Sequence, residues 1–218
     1  MTPAGSTGYA PIVPRNHPVF ARVYERISTA MNEAGEVDHR RDLVGEAAGR
    51  VLEPGAGNGL NFAHYRRADL VVAMEPEPTM LRMAGERARR APVPVHLLRG
   101  AAEMLPFPES SFDTVVASLM LCSVADPAAA IAEFRRVLRP GGTIRFLEHV
   151  RSRHATWATV QDAVAGPWSW FAGGCHPNRD SVAALRDGGF EVRGRGFPFG
   201  PPSPCRPHVL GVARLPPG

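Results

Sequence analysis

The sequence predicts an α/β fold in which a mostly parallel sheet carries helices on both faces. Strand-like apolar runs alternate with amphipathic helical runs between about residues 49 and 150, and this alternation is typical of parallel sheets. The first apolar run, at 51–54, leads directly into a turn with three glycines. Because ligands of such sheets bind at the carboxyl ends of the strands, we expect the functional site at the edge where this turn lies.

The glycine turn, Gly55-Ala56-Gly57-Asn58-Gly59, is the first candidate binding element. Glycines tolerate positive φ angles and let a ligand approach the backbone, and the N–H groups at a helix start are free donors. The G-x-G-x-G spacing differs from the G-x-G-x-x-G fingerprint of dinucleotide sites, so we expect neither NAD nor FAD to bind. A purely structural turn is the alternative.

Glu75 is the second candidate, because it ends the next apolar run and follows Glu53 by 22 positions. A β-α-β unit of about that length places a carboxylate from its second strand beside a ribose. An ionised carboxylate can accept hydrogen bonds from both ribose hydroxyls. A solvent-exposed acid at a strand end is the alternative, but the distance from the glycine turn favours the ribose role.

Composition argues against several classes of protein. A chain of 218 residues with 44% hydrophobic content suits one domain with a full core. The net charge of +4 comes largely from scattered arginines, which favours a solvated surface over a nucleic-acid site. Three widely spaced cysteines indicate no disulfide framework, and hence a reducing, cytoplasmic setting. No apolar run is long enough for a membrane span, so we expect no stable membrane insertion.

The N-terminal part divides into an arm and a helical segment. Residues 1–17 are rich in Pro, Gly, Ser and Thr, which predicts a flexible arm. The rest, 18–218, is predicted to be one domain. Apolar residues recur at helical spacing from Pro18, and a second helix is predicted from Val37 to Ala48. We interpret 18–48 as a lid, with Phe20 and Tyr24 over the cleft; packing on the core is the alternative.

Further elements are predicted along the core, 49–150, and the C-terminal part, 151–218. The first crossover helix is expected to begin with residues 60–65, and another is expected to begin at Glu75-Pro76. Strands are predicted to span 93–98, 112–119 and 143–147. The three tryptophans, Trp157, Trp168 and Trp170, lie in a poorly periodic stretch that could line a pocket or fill a core. A helix through Leu185, strands at 190–192 and 208–213, and a long proline-rich loop at 197–207 complete the prediction.

Four motifs carry a resemblance to class I S-adenosylmethionine-dependent methyltransferases: EPGAGNG at 53–59, EP at 75–76, GAAEMLPF at 100–107 and LRPGG at 138–142. The likeness covers roughly residues 18–214. Segments at 121–124, 146–150, 173–175 and 206–211 are similar to the methyltransferase-like family that includes membrane-associated thiol S-methyltransferases. The resemblance implies a Rossmann-like class I methyltransferase fold with seven strands, and S-adenosylmethionine as cofactor, with S-adenosylhomocysteine as product.

The resemblance also implies which residues hold the cofactor. The methionine moiety would lie against the glycine turn, the ribose on Glu75, and the adenine between Pro76 or Met80 and the loop at 101–103. Ala101 stands where many relatives have an acid for the adenine amino group, and Pro54 replaces a small or branched residue. The membrane anchor of the animal enzymes is not seen, so we expect a soluble, cytoplasmic enzyme. The implied cofactor residues are Tyr24, Glu53, Gly55, Ala56, Gly57, Asn58, Gly59, Asn61, Glu75, Pro76, Met80, Ala101, Ala102, Glu103, Leu119 and Met120.

Methyl transfer from a sulfonium is an in-line displacement, so alignment comes first and a base is needed only if the acceptor must lose a proton. His149 is the candidate base, because it ends a strand beside Glu148, which could orient its imidazole; a structural histidine is the alternative. Cys122 is expected to be a small buried residue, and the Cys175-His176 pair falls short of a metal site, so no metal is expected. The predicted substrate residues are Phe20, His149, Trp157, Trp168 and His208.

Three function classes follow. The leading one is methylation of a small molecule, with a thiol acceptor favoured by the resemblance and an oxygen, nitrogen or carbon centre of a specialised metabolite as the alternative. Nucleic-acid methylation is disfavoured, because the sequence has no Asn-Pro-Pro-aromatic or Asp-Pro-Pro-aromatic motif and no concentrated basic groove. A non-catalytic S-adenosylmethionine-binding module would keep only the half from Glu53 to Glu75. We expect a monomer or a homodimer.

Overall fold

The computed structural model describes residues 18–216, so the predicted arm, 1–17, lies outside the described residues. Seven strands form one sheet in the order β3-β2-β1-β4-β5-β7-β6. Strand β7 runs antiparallel to both β5 and β6, and the other pairs are parallel. The predicted fold class is confirmed. The strands are β1 Ala48–Pro54, β2 Arg67–Met74, β3 Val95–Leu98, β4 Phe112–Ser118, β5 Leu138–His149, β6 Glu191–Pro198 and β7 Pro207–Arg214.

Helices connect the strands and cover the sheet. A π-helical segment, Asn32–Glu36, joins the first two helices, and the chain kinks there at Gly35, which has a φ of 114°. None of the helices within 18–216 is both long and apolar enough to span a bilayer. The helices are α1 Pro18–Met31, α2 Val37–Val44, α3 Pro78–Ala88, α4 Pro127–Val137, α5 Ala155–Phe171 and α6 Ser181–Asp187.

The central strands are buried on both faces. Val115 packs in the core on one face of the sheet, and its neighbour Val116 packs in the core on the other. Consecutive residues of a strand point to opposite faces, so a strand covered on both sides must be apolar throughout. The continuous apolar runs of the sequence therefore mark the middle of the sheet.

The predicted crossover helix at 60–65 is wrong. Between β1 and β2 the chain makes only a short 3₁₀ turn, Phe62–His64. Phe62 and Tyr65 are fully buried, and a Cβ at Gly59 would lie 2.7 Å from the Phe62 ring. The segment packs tightly under the glycine turn instead of forming a long amphipathic helix.

Three other boundaries differ from the prediction. The second helix ends at Val44, because residues from Ala48 onward already pair with β2. Strand β3 begins at Val95 and not at 93. Strand β5 begins at Leu138, which pairs with Phe112, so the Pro-Gly-Gly segment lies within a strand. Pairing with a neighbouring strand decides each of these boundaries.

The C-terminal part is more regular than its sequence suggests. The tryptophan-rich stretch forms a single helix, α5, which carries Pro167 in its interior. Asp180 caps α6 by accepting a hydrogen bond from the Ala183 N–H at 2.9 Å. Strand β6 extends to Pro198, so part of the predicted loop belongs to the edge of the sheet, where proline is tolerated.

Candidate active site

The glycine turn lies at the carboxyl end of β1. Gly55, Gly57 and Gly59 all have positive φ angles, of 69°, 58° and 82°, as the turn prediction requires. A Cβ at Gly55 would lie 2.9 Å from the Met120 side chain, whereas a Cβ at Gly57 would meet no described atom within 4 Å. The turn is therefore packed against the loop after β4 at Gly55 and is open above Gly57.

Glu75 follows β2 and points at this turn. Its carboxylate accepts hydrogen bonds from the Gly57 N–H at 2.8 Å and from the Glu77 N–H at 2.9 Å. The residue is only 6% exposed, and this burial raises the pKa of its carboxyl to about 7. Each carboxylate oxygen has two lone pairs, so the group can still accept from a ligand's hydroxyls. The ribose role stays a prediction.

Helix α1 is tied across the glycine turn. The Asn58 side chain donates hydrogen bonds to Glu25 at 2.6 Å and to Ser28 at 2.9 Å. Glu25 also forms a salt bridge of 2.7 Å with Arg87 of α3. A polar residue in the turn thus holds the helix that was predicted to be a lid.

Tyr24 and Phe20 form the inner side of α1. Tyr24 is half-buried, and desolvation of its hydroxyl raises its pKa to about 12 against the opposing effect of the Arg40 guanidinium. The Phe20 ring centroid is 5.7 Å from that of Tyr24, and a Cβ at Gly173 would lie 2.3 Å from the Phe20 ring. The helix therefore covers the space between the glycine turn and the loop that follows α5.

Glu53 makes its hydrogen bonds with the protein. Its two carboxylate oxygens accept from the Asn61 amide and the Tyr65 hydroxyl, both at 2.7 Å. Arg40 donates to Asn61 at 2.9 Å and forms a buried salt bridge with Glu36. Burial raises the pKa of Glu53 to about 7. This network, which the sequence analysis missed except for Glu53 and Asn61, supports the turn from below.

The residues predicted around the adenine follow the carboxyl ends of β2 and β3, which are neighbours in the sheet. The Glu103 carboxylate accepts hydrogen bonds from the backbone N–H groups of Ala125 at 2.9 Å and Asp126 at 3.4 Å. Its side chain therefore holds the loop before α4. The other members of this predicted group are Pro76, Met80, Ala101 and Ala102, of which Met80 and Ala102 are buried.

The loop after β4 is held by a buried acid. Leu119 has a φ of 53°, an uncommon value for a residue other than glycine, and such strain is concentrated at functional sites. Glu148 accepts hydrogen bonds from the N–H groups of Met120 and Leu121, both at 2.9 Å. We expected Glu148 to orient the His149 imidazole; its hydrogen bonds go instead to this loop, because neighbouring residues of a strand point to opposite faces.

Three cysteines that are far apart in the sequence meet around His149. The His149 Nε2 lies 3.2 Å from the Cys175 Sγ, which lies 3.6 Å from the Cys205 Sγ. Ligating atoms of Cys122, His149 and Cys175 all lie within 4.8 Å of one another. We call Cys122, His149, Cys175 and Cys205 the thiol–histidine cluster. Cys122 is buried, as expected. No sequence pattern indicates the cluster, because its members come from four separate segments.

The cluster has unusual electrostatics. The neighbouring thiols of Cys122 and Cys205 hold the pKa of the Cys175 thiol well below its usual range. Burial lowers the pKa of His149, but its contact with Cys175 outweighs this and raises it. A thiolate paired with an imidazolium is the arrangement that these shifts favour.

His208 lies beside the cluster, opposite His149 in the pairing of β5 with β7. The two ring centroids are 6.1 Å apart, and the His208 Nδ1 bonds to the Arg206 carbonyl at 2.9 Å. Burial lowers the pKa of His208 to about 4, so its imidazole is neutral near pH 7. His176 bonds through Nδ1 to the Gly174 carbonyl and is not a member of the cluster.

The two tryptophans predicted to contact substrate do not lie together. Trp157 and Trp168 are 11 positions apart on α5, which separates them by about 16 Å along the helix. Trp168 lies beside the Cys205 thiol, whereas Trp157 is 36% exposed near the helix start. Trp170 is 79% exposed. Only Trp168 is placed near the other predicted substrate residues.

Helix α1 lies across the glycine turn, to which Asn58 ties it. An open surface cavity of about 790 Å³ lies elsewhere, lined by residues that include Glu109, Arg136, Pro140 and Arg214. These residues surround the start of β5, at the amino ends of the strands. The glycine turn lies at the opposite, carboxyl ends. The cavity therefore cannot be the site to which Glu75 and His149 contribute.

Comparison with known proteins identifies the family. The family model described as a methyltransferase domain matches residues 52–146. Human thiol S-methyltransferase TMT1B is 33% identical over 177 residues, which cover 77% of this chain and 72% of the relative. Human thiol S-methyltransferase TMT1A is 32% identical over 75% of this chain and 69% of the relative. The chain belongs to the methyltransferase family of these relatives.

Solved structures agree on the fold of this methyltransferase. An S-adenosylmethionine-dependent methyltransferase from Thermotoga maritima has a TM-score of 0.63 and 22% identity, covering 91% of this chain and 97% of its own. The [4+2]-cyclase SpnF has a TM-score of 0.64 and 22% identity, covering 83% and 80%. The chain is an S-adenosylmethionine-dependent methyltransferase with the class I fold, as its sequence predicted. The glycine turn and Glu75 suit that cofactor, because they bring backbone donors and a carboxylate to the same strand ends.

Proposed function

We propose that this methyltransferase transfers the methyl group of S-adenosylmethionine to the sulfur of a small thiol. The observation that carries the proposal is the likeness to thiol S-methyltransferases, at 31–33% identity over as much as 81% of the relatives' length.

The sheet order supports the arrangement of the two substrates. A cofactor on the glycine turn and Glu75 would span the ends of β1 and β2, with its adenine toward β3. The neighbours on the other side are β4 and β5. The methyl group would then face the loop after β4 and the end of β5, where Leu119 and His149 lie. The acceptor would approach from this side, under α1, which we propose acts as a lid.

The chemistry requires little of the protein beyond alignment. The acceptor sulfur forms a bond to the methyl carbon as the carbon–sulfonium bond breaks, and the electron pair stays on the departing S-adenosylhomocysteine sulfur. A free thiol has a pKa of about 8.5, so part of it is already thiolate near neutrality. A lid that excludes water and fixes the line of attack therefore supplies much of the catalysis. The role of His149 as a general base stays a prediction.

The test is a transfer assay with labelled S-adenosylmethionine and matched acceptors. The panel pairs each thiol with the alcohol or phenol and the amine of the same carbon skeleton, so that only the nucleophilic atom differs. We expect label in the thioether product and little in the others. Preferred labelling of an oxygen, nitrogen or carbon centre would replace the thiol with that acceptor, and no turnover despite tight cofactor binding would indicate a binding module.

A further inference from the structure

We propose that the thiol–histidine cluster is a zinc site, in which Cys122, His149 and Cys175 are the core ligands and Cys205 completes a tetrahedron. Thiolate sulfur and imidazole nitrogen are the ligands of structural zinc, and three thiolates with one histidine is a common set. This proposal does not depend on the identity of the methyl acceptor, because it rests on the donor atoms alone. A zinc-bound imidazole has no free nitrogen to accept a proton, so bound zinc would exclude His149 as the general base.

The distances suit one small ion. With zinc–sulfur bonds of about 2.3 Å and zinc–nitrogen bonds of about 2.0 Å, a tetrahedral site has sulfur–sulfur edges of about 3.8 Å and sulfur–nitrogen edges of about 3.5 Å. The Cys175–Cys205 separation is 3.6 Å and the Cys175–His149 separation is 3.2 Å. The Cys122 sulfur belongs to the group within 4.8 Å. The Cys205 sulfur lies outside that group, so Cys205 and Cys122 would have to move toward the other two ligands to close the tetrahedron around the ion.

The backbone holds the ligands in place before any ion binds. The His176 N–H donates to the Cys122 carbonyl at 2.9 Å, which joins the segments of two ligands. A Cβ at Gly174 would lie 3.1 Å from the Ser123 carbonyl oxygen, so only a glycine lets these segments approach so closely. The Val150 N–H donates to the Pro207 carbonyl at 2.9 Å, which joins the ends of β5 and β7 next to the other two ligands.

Charge explains why zinc suits this place. Cys122 and Cys175 are buried, at 1% and 7% exposure, and an isolated thiolate there would be costly. Two thiolates cancel the double charge of the ion, and a third leaves a single negative charge on the more exposed Cys205 side. Zinc would therefore hold the competing thiols together as one unit with a single negative charge. Bound zinc would also anchor the loop before β7, which carries Cys205, to the carboxyl end of β5, which carries His149.

The decisive measurement is the metal content of the full chain, purified under reducing conditions without chelator. We expect about one zinc per chain by mass spectrometry of the metal. The apo protein, prepared with a chelator and a mercurial reagent, should bind one Co²⁺ and give a thiolate-to-cobalt charge-transfer band with strong tetrahedral visible bands. Zinc should displace the cobalt and protect all three cysteines from a thiol reagent.

Variants assign the ligands. Cys122→Ser, Cys175→Ser and His149→Gln should each lower the affinity for Co²⁺ by at least tenfold. Cys205→Ser should weaken the thiolate-to-cobalt charge-transfer band, because one of the three thiolates is lost. His176→Gln is the matched control and should bind as the parent does, because this neighbouring histidine bonds to Gly174 instead. Should the core variants fail to fold, the cobalt titration of the parent chain still decides.

Two outcomes would overturn the proposal. One is a reduced parent chain that holds no zinc and gives no thiolate-to-cobalt band. The other is a fresh protein with a Cys175–Cys205 disulfide and no bound metal, which would make the pair a redox site. Neither measurement involves methyl transfer, so failure here leaves the proposed function untouched, and a failed acceptor assay leaves the metal result untouched.

Discussion

The Cys175 Sγ lies 3.2 Å from the His149 Nε2, although 26 positions separate the two residues in the chain. A second contact, between the Glu75 carboxylate and the Gly57 N–H at 2.8 Å, lies at the ends of other strands of the same sheet. The carboxyl ends of the strands therefore carry two chemically different groups. One consists of the backbone donors of the glycine turn and the Glu75 carboxylate, and the other is the thiol–histidine cluster.

Glu75→Gln should weaken S-adenosylmethionine binding by about 1.5–3 kcal/mol, because it replaces a charged acceptor of the ribose hydroxyls with a neutral amide. Titration calorimetry measures the effect. Glu109→Gln is the control, since this acid is exposed and lies near the start of β5, at the opposite ends of the strands from the glycine turn. An unchanged dissociation constant for the Glu75 variant would exclude the ribose role.

Gly57→Ala should abolish measurable cofactor binding, because its Cβ would project into the open space above the turn at a φ of 58°. The backbone strain should cost about 1–2 kcal/mol of stability. Gly166→Ala is the control for cofactor binding, which it should leave unchanged: it lies inside α5, and outside its chain neighbours and its own helix backbone no described atom lies within 4 Å of its Cβ. Strong binding by the Gly57 variant would move the cofactor away from this turn.

Glu25→Gln should loosen α1, because it weakens the contacts with Arg87 and Asn58 that tie the helix to α3 and the glycine turn. Amide hydrogen exchange in 18–31 should become at least severalfold faster, with little change in the central strands. Glu33→Gln, an exposed acid in the next segment, is the control. If exchange in α1 is unchanged, the helix is held by Phe20 and Tyr24 and not by these polar contacts.

Stability should rise as the pH falls from about 8 to 5. Burial raises the folded-state pKa of Glu53 and Glu75 to about 7, well above the value of 4.5 in an unfolded chain. Between those values the folded state binds more protons than the unfolded state, so stability falls as pH rises through this window. Urea denaturation at a series of pH values measures the slope. Glu75→Gln should flatten it, and an equal slope in the variant would contradict the assignment to Glu75.

If the imidazole is a general base, His149→Ala should lower turnover by about 10²- to 10⁴-fold while S-adenosylmethionine affinity is retained. With a thiol acceptor the loss should be smaller and should shrink as the pH rises, because more of the thiol is then already thiolate. Steady-state rates and calorimetry on the same preparation give both numbers. Metal content of the parent chain then separates the roles, because a zinc-bound imidazole cannot also be the base. His176→Ala should be as active as the parent. Full turnover in the His149 variant would remove this residue from the mechanism.

Local patterns in the sequence were enough to predict the donor side of the site. The glycines at 55, 57 and 59 have the predicted positive φ angles, and Glu75 reaches the turn as its spacing from Glu53 indicated. Both depend on short stretches of chain whose conformation is set by neighbouring residues and by the repeat of strand and helix. The continuous apolar runs likewise predicted a sheet that is covered on both faces, because they too are local features of the sequence.

Only the tertiary structure decided the conformation of 60–65 and the assembly of the thiol–histidine cluster. The helix expected at 60–65 gave way to a short turn, because burial of Phe62 and Tyr65 outweighs local preference for a helix. The meeting of Cys122, Cys175 and Cys205 with His149 depends on strand order and loop packing, and no periodicity in the sequence records those contacts. Short-range signals specify φ angles and strand ends, whereas contacts between distant segments arise only when the whole sheet closes around its core.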